Sequence, residues 1–305
     1  MLVILGQMAL IIACGVAWRW LRPGNLSVEA VRVTLTTCVY YLLLPALVLS
    51  VLWRAPLGQG SLLISTMAAS GVTGSLLLTW VIYRALKPGP AVFGALLLAS
   101  AWPNATYLGL PLLDGIYGEY GRRIAIQYDL FACTPLLMTV GVWLASRFGH
   151  AGRHRTGFLA LLKVPPLWAA AVAVMLNVSG VAMPKVVAET LQMLASGVVP
   201  LILLSLGISL RWDTLRWRYL PLMLPALLIQ LLLMPLIVWG VGHGLNVDGR
   251  LLTALVLEAA MPSMLLGLVI CERYGLDTAM YAATATLSTL LSMLSLPLWH
   301  ALLHA

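Results

Sequence analysis

The sequence predicts an all-α polytopic membrane protein of ten transmembrane helices, built as two inverted five-helix repeats whose fourth and ninth helices are broken. Three observations predict it: an apolar composition, ten apolar stretches of spanning length, and two proline interruptions at matching places in the two halves. Of the 305 residues, 61% are hydrophobic and only 9% charged, with mean hydropathy +0.98. A soluble domain carries about 25% charged residues. The net charge of +8 would suggest nucleic acid only if basic residues clustered on a soluble face. Here they lie between apolar stretches, so membrane topology accounts for them and no nucleic-acid partner is expected. The four cysteines (Cys14, Cys38, Cys133, Cys271) have neither metal-ligand nor disulfide-framework spacing. They are expected to pack as small hydrophobes, and no metal or other cofactor is expected.

A spanning helix needs about 20 mostly apolar residues. Ten stretches qualify: 2–19, 31–52, 61–83, 91–113, 122–146, 164–181, 186–210, 219–241, 250–271 and 276–300. The first reads as a retained span rather than a signal peptide, because Arg19 and Arg22 follow its apolar run and no charged side chain precedes it. The longest polar linker, 147–163, falls mid-chain and divides residues 1–146 from 164–305, one five-helix repeat each. Lysines and arginines number thirteen in the loops after spans 1, 3, 5, 7 and 9 and five in the others. The positive-inside bias then places both termini outside and the 147–163 linker in the cytoplasm. Most tryptophans, among them Trp53, Trp80, Trp217 and Trp299, fall near span ends and read as an interfacial belt.

The halves correspond. Pro45 in Leu-Leu-Leu-Pro-Ala matches Pro200 in Val-Val-Pro-Leu, and Pro103 matches Pro262, at offsets of 155 and 159 residues. Glu119-Tyr120-Gly121 after the fourth span matches Glu272-Arg273-Tyr274-Gly275 after the ninth. An odd number of spans per repeat forces the copies into opposite orientations.

The interruptions read Ala-Trp-Pro-Asn-Ala-Thr at 101–106 and Ala-Ala-Met-Pro-Ser-Met at 259–264. Proline removes a backbone donor and clashes with the preceding turn. Bare backbone survives at membrane depth only where it is buried in protein or lines a cavity. Paired breaks in two halves are a pointer to a transporter's binding site. At ~1.5 Å per residue, Pro103 lies about 21 Å from Gly89 and Pro262 about 18 Å from Arg250, near the middle of a core about 30 Å thick.

The stretch Pro103-Asn104-Ala105-Thr106-Tyr107-Leu108-Gly109-Leu110-Pro111 resembles the Asn-x-x-(aromatic)-x-Gly-x-Pro segment of the auxin efflux carrier family. Ala260-Met261-Pro262-Ser263, Leu43-Leu44-Pro45-Ala46, Ser205-Leu206-Gly207-Ile208-Ser209-Leu210 and the Leu-Ser-Leu-Pro-Leu ending at Leu298 are similar to its other hallmarks. The resemblance covers essentially the whole chain. It implies a fold like that of sodium/proton antiporters and bile-acid symporters, with the broken helices crossing between scaffold and transport bundles that each draw on both repeats. It also implies transport of small organic anions, auxin-like or mono- and dicarboxylates. The short linker resembles bacterial members, which implies a multi-pass protein of the bacterial inner membrane with periplasmic termini. Relatives also imply a homodimer.

The expected substrate site comprises Pro103, Asn104, Thr106, Tyr107, Met261, Pro262 and Ser263. Each restarting helix presents an N-terminus suited to a carboxylate, and each ending helix presents carbonyls suited to a cation or donor. Asn104 and Ser263 are good N-caps, which is also their alternative reading; Tyr107 is as well explained by packing. Asp129 and Glu258 are the acids deepest in apolar sequence, and such groups are functional candidates by default. With Gln127 they are candidates for a coupling proton or sodium ion. The alternatives are ion pairs of Asp129 with Arg122 or Arg123, and of Glu258 with Arg250. Gln127 and Gln230 alternatively join helices by hydrogen bonds. No Lys or Arg lies near either break in the sequence, so the helix ends must supply the attraction for an anion.

The leading function is therefore a secondary active transporter of small organic anions working by alternating access, in contact with membrane lipid. An uncoupled organic-anion channel or facilitator is the alternative. An intramembrane enzyme is disfavoured, since neither His-Glu-x-x-His nor Gly-x-Ser-x-Gly occurs and the five histidines sit in loops or near the C-terminus.

Overall fold

A computed structural model describes residues 1–150, 162, 164–215, 219–247 and 249–304. Most of the 147–163 linker, with Arg153, His154, Arg155 and Lys163, lies outside the described residues, as do Arg216, Trp217 and Arg218. The described chain is helical. Its single β pairing among the described residues joins Pro103 to Ser263.

Seven helical stretches among the described residues are long and apolar enough to cross a membrane. They are α1 (Leu2–Leu21), α2 (Val28–Leu52), α3 (Gln59–Leu86), α6 (Glu119–Phe148), the stretch Lys185–Thr214, α10 (Leu220–Gly244) and α13 (Thr278–Leu302). The Lys185–Thr214 stretch comprises α8 (Lys185–Ser196) and α9 (Val198–Ser209), separated at Gly197. Three of the ten expected spans differ. The fourth is split into α4 (Pro90–Ala101) and α5 (Leu110–Tyr117), and the ninth into α11 (Gly249–Ala259) and α12 (Leu266–Tyr274). The sixth, α7 (Pro165–Val178), is only 14 residues long, because the chain turns at Gly180 with φ +65°. At ~1.5 Å per residue, α4 and α11 are each about 17–18 Å long, roughly half the hydrocarbon thickness.

Several helices carry wide π turns, and four of these end one residue short of a proline. They are Val39–Leu43 before Pro45, Ala105–Gly109 before Pro111, Asp129–Cys133 before Pro135, and Ile229–Leu233 before Pro235. The proline ring cannot fit over a regular preceding turn and lacks the N–H to bond it. One extra residue in that turn absorbs the clash and keeps the helix running. The helix therefore continues through these four prolines, whereas it stops at Pro103 and Pro262.

Packing pairs helices from the two halves. α1 runs along α9, α7 and α8 hold the C-terminal half of α2, and α3 lies along α10 through Gly71 and Gly74. Trp299, expected in the interfacial belt, is instead buried and donates to the Leu231 carbonyl at 2.9 Å.

α1 and α9 approach closely. The Cα atoms of Gly15 and Gly207 sit so near that a Cβ on Gly15 would lie 2.9 Å from Gly207 Cα, and a Cβ on either would run into a carbonyl of the facing helix. Lipid gives apolar side chains no reason to leave it for a helix partner, so close backbone contact is what holds such a pair. Gly207→Val is expected to lower the midpoint of thermal unfolding in detergent, at a cost of about 1–3 kcal/mol for overpacking. An unchanged midpoint would show that the α1–α9 contact does not stabilise the fold.

Candidate functional site

The two breaks meet, and their backbones complete one another. α4 stops at Ala101 and Trp102 turns extended, with φ −115° and ψ 108°. Asn104 N–H then donates to the Pro262 carbonyl at 2.7 Å, and Met264 N–H donates to the Trp102 carbonyl at 2.9 Å. These two bonds form the antiparallel pairing of Pro103 with Ser263. Side chains satisfy much of the rest. Gln230 Nε2 donates to the Met261 carbonyl at 2.8 Å, Ser263 Oγ donates to the Ala99 carbonyl at 2.5 Å, and Ser288 Oγ accepts from Ser263 N–H at 3.1 Å. Tyr281 donates to the Met264 carbonyl, and Trp102 Nε1 donates to the Cys133 carbonyl at 3.1 Å. The sequence-based expectation of open peptide ends is corrected here. Carbonyls and amides freed by the prolines pair with each other across the crossing and with side chains of Gln230, Ser263, Tyr281 and Ser288 around it.

Pro103, Asn104, Met261, Pro262 and Ser263 are all buried at this junction, and Thr106 and Tyr107 are half-buried beside it. Asn104 caps the restarting helix, its Oδ1 accepting from Tyr107 N–H at 3.2 Å, while its Nδ2 has no protein partner. Ser263 is not a cap. The helix after the second break resumes only at Leu266, out of its reach, and its hydroxyl bonds α4 instead.

The candidate ions behave differently from either sequence alternative. Asp129 does not pair with Arg122 or Arg123, which lie near Asp114 (2.7 Å) and Glu119 (4.0 Å). It accepts from Thr134 at 2.9 Å and from Thr106, which ties α6 to the crossing. Glu258 does not pair with Arg250, whose guanidinium stacks over Tyr120 and Tyr117 at 4.5 and 5.4 Å. Glu258 is fully buried beside Gly109, close enough to Asp129 for their charges to interact. Gln127 is buried with Oε1 unpartnered.

A cavity of about 720 Å³ opens at one end of the molecule and extends to Tyr107 and Leu265, the residues just beyond the two breaks. Tyr107 and Leu265 line it at depth; Arg19, Arg32, Arg211 and Arg273 line it with Glu29, Asp213 and Glu272. Arg19–Asp213 (3.6 Å) and Arg211–Glu272 (3.9 Å) bridge the elements around it, and Glu29 pairs with Arg32. These arginines come from span ends far apart in the sequence, and folding brings them around one cavity. At the other end of the broken helices, Arg250 on Tyr117 and Tyr120 and the Arg122–Asp114 pair hold the ends of α5, α6 and α11 together. Gln230 and Arg32 were the residues hardest to place from sequence. A lone polar residue in an apolar run marks Gln230, but nothing local shows that its target lies 31 residues away.

Comparison with known proteins adds a family. Residues 3–152 and 154–300 match the family described as membrane transport protein. The chain is similar to an uncharacterized transporter of Methanothermobacter thermautotrophicus, 34% identical over 88% of each chain. It is also similar to an uncharacterized transporter of Methanocaldococcus jannaschii, 30% identical over 68% of this chain and 67% of that one. The uncharacterized transporter YfdV of Escherichia coli is 24% identical over 75% of this chain and 74% of its own.

Gln230→Leu strips the Met261 carbonyl of its donor in a buried setting, which costs about 1–3 kcal/mol. A lower thermal midpoint than Gln230→Glu, whose protonated form can still donate, is the expected outcome; equal midpoints would show that this bond does not support the break.

Proposed function

We propose a function from the premise that this chain belongs to the membrane transport protein family, the family of the auxin efflux carriers. It is a multi-pass membrane protein with several apolar helices, and in our reading it is a secondary active transporter of small organic anions, auxin-like or mono- and dicarboxylates. It works by alternating access in the bacterial inner membrane, with periplasmic termini. α1, α2, α7, α8 and α9 form the scaffold bundle and the remaining helices the transport bundle, as two inverted repeats of residues 1–146 and 164–305 would place them. Proton or sodium coupling runs through the buried acids, and the working unit is a homodimer.

The observation that carries this reading is a cavity open at one end whose lining includes Tyr107 and Leu265, just beyond the bridged breaks, while residues at the other end hold together. An uncoupled channel would need a path past Pro103, Asn104, Met261 and Ser263, which are buried; the closed floor favours a carrier. Four arginines against three acids around the cavity favour an anion, and Asn104, fully buried three residues before the cavity-lining Tyr107, keeps its Nδ2 as an uncommitted donor. The family consists of transporters, so catalysis is not proposed. On the positive-inside count the cavity faces the cytoplasm.

The test is counterflow of labelled malonate, malate and indole-3-acetate in proteoliposomes, preceded by a thermal-shift screen, since binding to the folded state raises its midpoint. Saturable exchange of at least one acid is expected. Asn104→Ala should lower it by about tenfold or more, the equivalent of losing one buried hydrogen bond worth about 1–3 kcal/mol. Uptake linear in concentration without counterflow would support the channel, and full activity in Asn104→Ala would remove the crossing as the site.

A further inference from the structure

The two buried acids at the crossing are held in opposite ways. Asp129 accepts on both carboxyl oxygens, from Thr134 on Oδ1 and from Thr106 on Oδ2. Two hydroxyl donors on two oxygens satisfy the anion. Glu258 sits one helical turn before Pro262, fully buried, and neither of its oxygens has a hydrogen-bond partner. Its carboxyl nests against the backbone of Gly109, where a Cβ would strike Oε2 and lie 2.6 Å from both Cδ and Oε1. Only glycine permits that approach.

Among the described residues, the groups that face Glu258 include acids and no base. α6 presents Asp129, Tyr128 and Cys133, whose interactions reach it, and the turn after the first break presents Gly109. α3, α10 and α13 also pack against α11, and Asp129 is, among the described residues, the one charged group whose field acts on Glu258. A bare carboxylate with no donor and a like charge beside it is the costliest arrangement a protein interior can hold. A bound proton removes both penalties. A metal cation would need a shell of several oxygens, and the Gly109 backbone closes one side of the carboxyl.

We propose, resting on the transport reading above, that Glu258 is the exchangeable-proton site of the cycle and Asp129 its fixed anion. One O–H bond forms when Glu258 takes a proton from the solution on one side, and that bond breaks when the proton returns to the solution on the other. No other bond changes. Asp129 positions the Thr106 hydroxyl at the crossing and keeps a negative charge next to Glu258, so that releasing the proton requires the crossing to open. Organic-anion binding at Asn104, on the same turn, is thereby linked to the proton.

Infrared difference spectra recorded against pH on purified protein read this without any transported solute. Wild type should show a protonated-carboxyl C=O band that shifts in deuterium oxide. Glu258→Gln should lose it, Asp129→Asn and Glu258→Asp should keep it, and Gly109→Ala, which pushes the carboxyl aside, should move it. In liposomes, an inward pH gradient should accelerate malonate or malate uptake by wild type, while Glu258→Gln should lose that acceleration. A band that disappears with Asp129→Asn instead, or no band in wild type, overturns the proton site. A normal band with acceleration unchanged in Glu258→Gln overturns its role in coupling. A normal band with no uptake of any acid by wild type overturns the transport reading, and with it the coupling, through a result the spectra alone would not give.

Discussion

Two peptide hydrogen bonds, Asn104 to Pro262 and Met264 to Trp102, are the constraint on which the rest of this structure depends. Lipid offers no partner for a broken helix, so an isolated break at this depth would leave several backbone groups unpaired, each at a cost of about 1–3 kcal/mol. Placing the second break against the first turns that cost into a short antiparallel pairing. Both halves must then be interrupted at one depth, and the chain ends of four short helices converge on one point.

Convergence explains what surrounds that point. The residues flanking each proline are committed to holding the crossing, so the uncommitted polar atoms around it among the described residues are few: Asn104 Nδ2, Gln127 Oε1, Gln230 Oε1, the Tyr128 hydroxyl and the Glu258 carboxyl. Other polar groups nearby serve as struts. Gln230, Ser263, Ser288 and Tyr281 each bond a backbone atom of the breaks, and Thr106 bonds Asp129 on the neighbouring helix. The distinction between strut and free group sorts the candidates by chemistry rather than by proximity.

The ends of the molecule differ in kind. Around the cavity, arginines and acids make ion pairs whose side chains are partly open to solvent, and exposed pairs of this sort are worth roughly 0–1 kcal/mol each. They can exchange partners at little cost. At the far end, a guanidinium lies over two aromatic rings and a second arginine lies against an aspartate. A molecule that opens to one side at a time needs contacts at each end that are specific but individually weak, and both sets have that character.

Composition and spacing by themselves determined that the chain lives in a membrane, where its apolar stretches lie, and that prolines 103 and 262 end helices. Those are local properties, set by transfer energies and by the proline ring. The sequence also marked Asn104, Asp129 and Glu258, because polar residues are conspicuous against apolar neighbours. It did not show that Pro45, Pro111, Pro135 and Pro235 would be absorbed by wide turns, since whether a π turn or a break relieves a proline depends on what packs around it. Ser263 bonding α4 rather than capping its own helix, Gln230 reaching Met261, and Arg32 and Arg211 lining one cavity were decided by the tertiary structure. Each joins residues far apart in the chain, and hydrogen bonds at membrane depth are chosen by whichever unpaired group folding brings within about 3 Å.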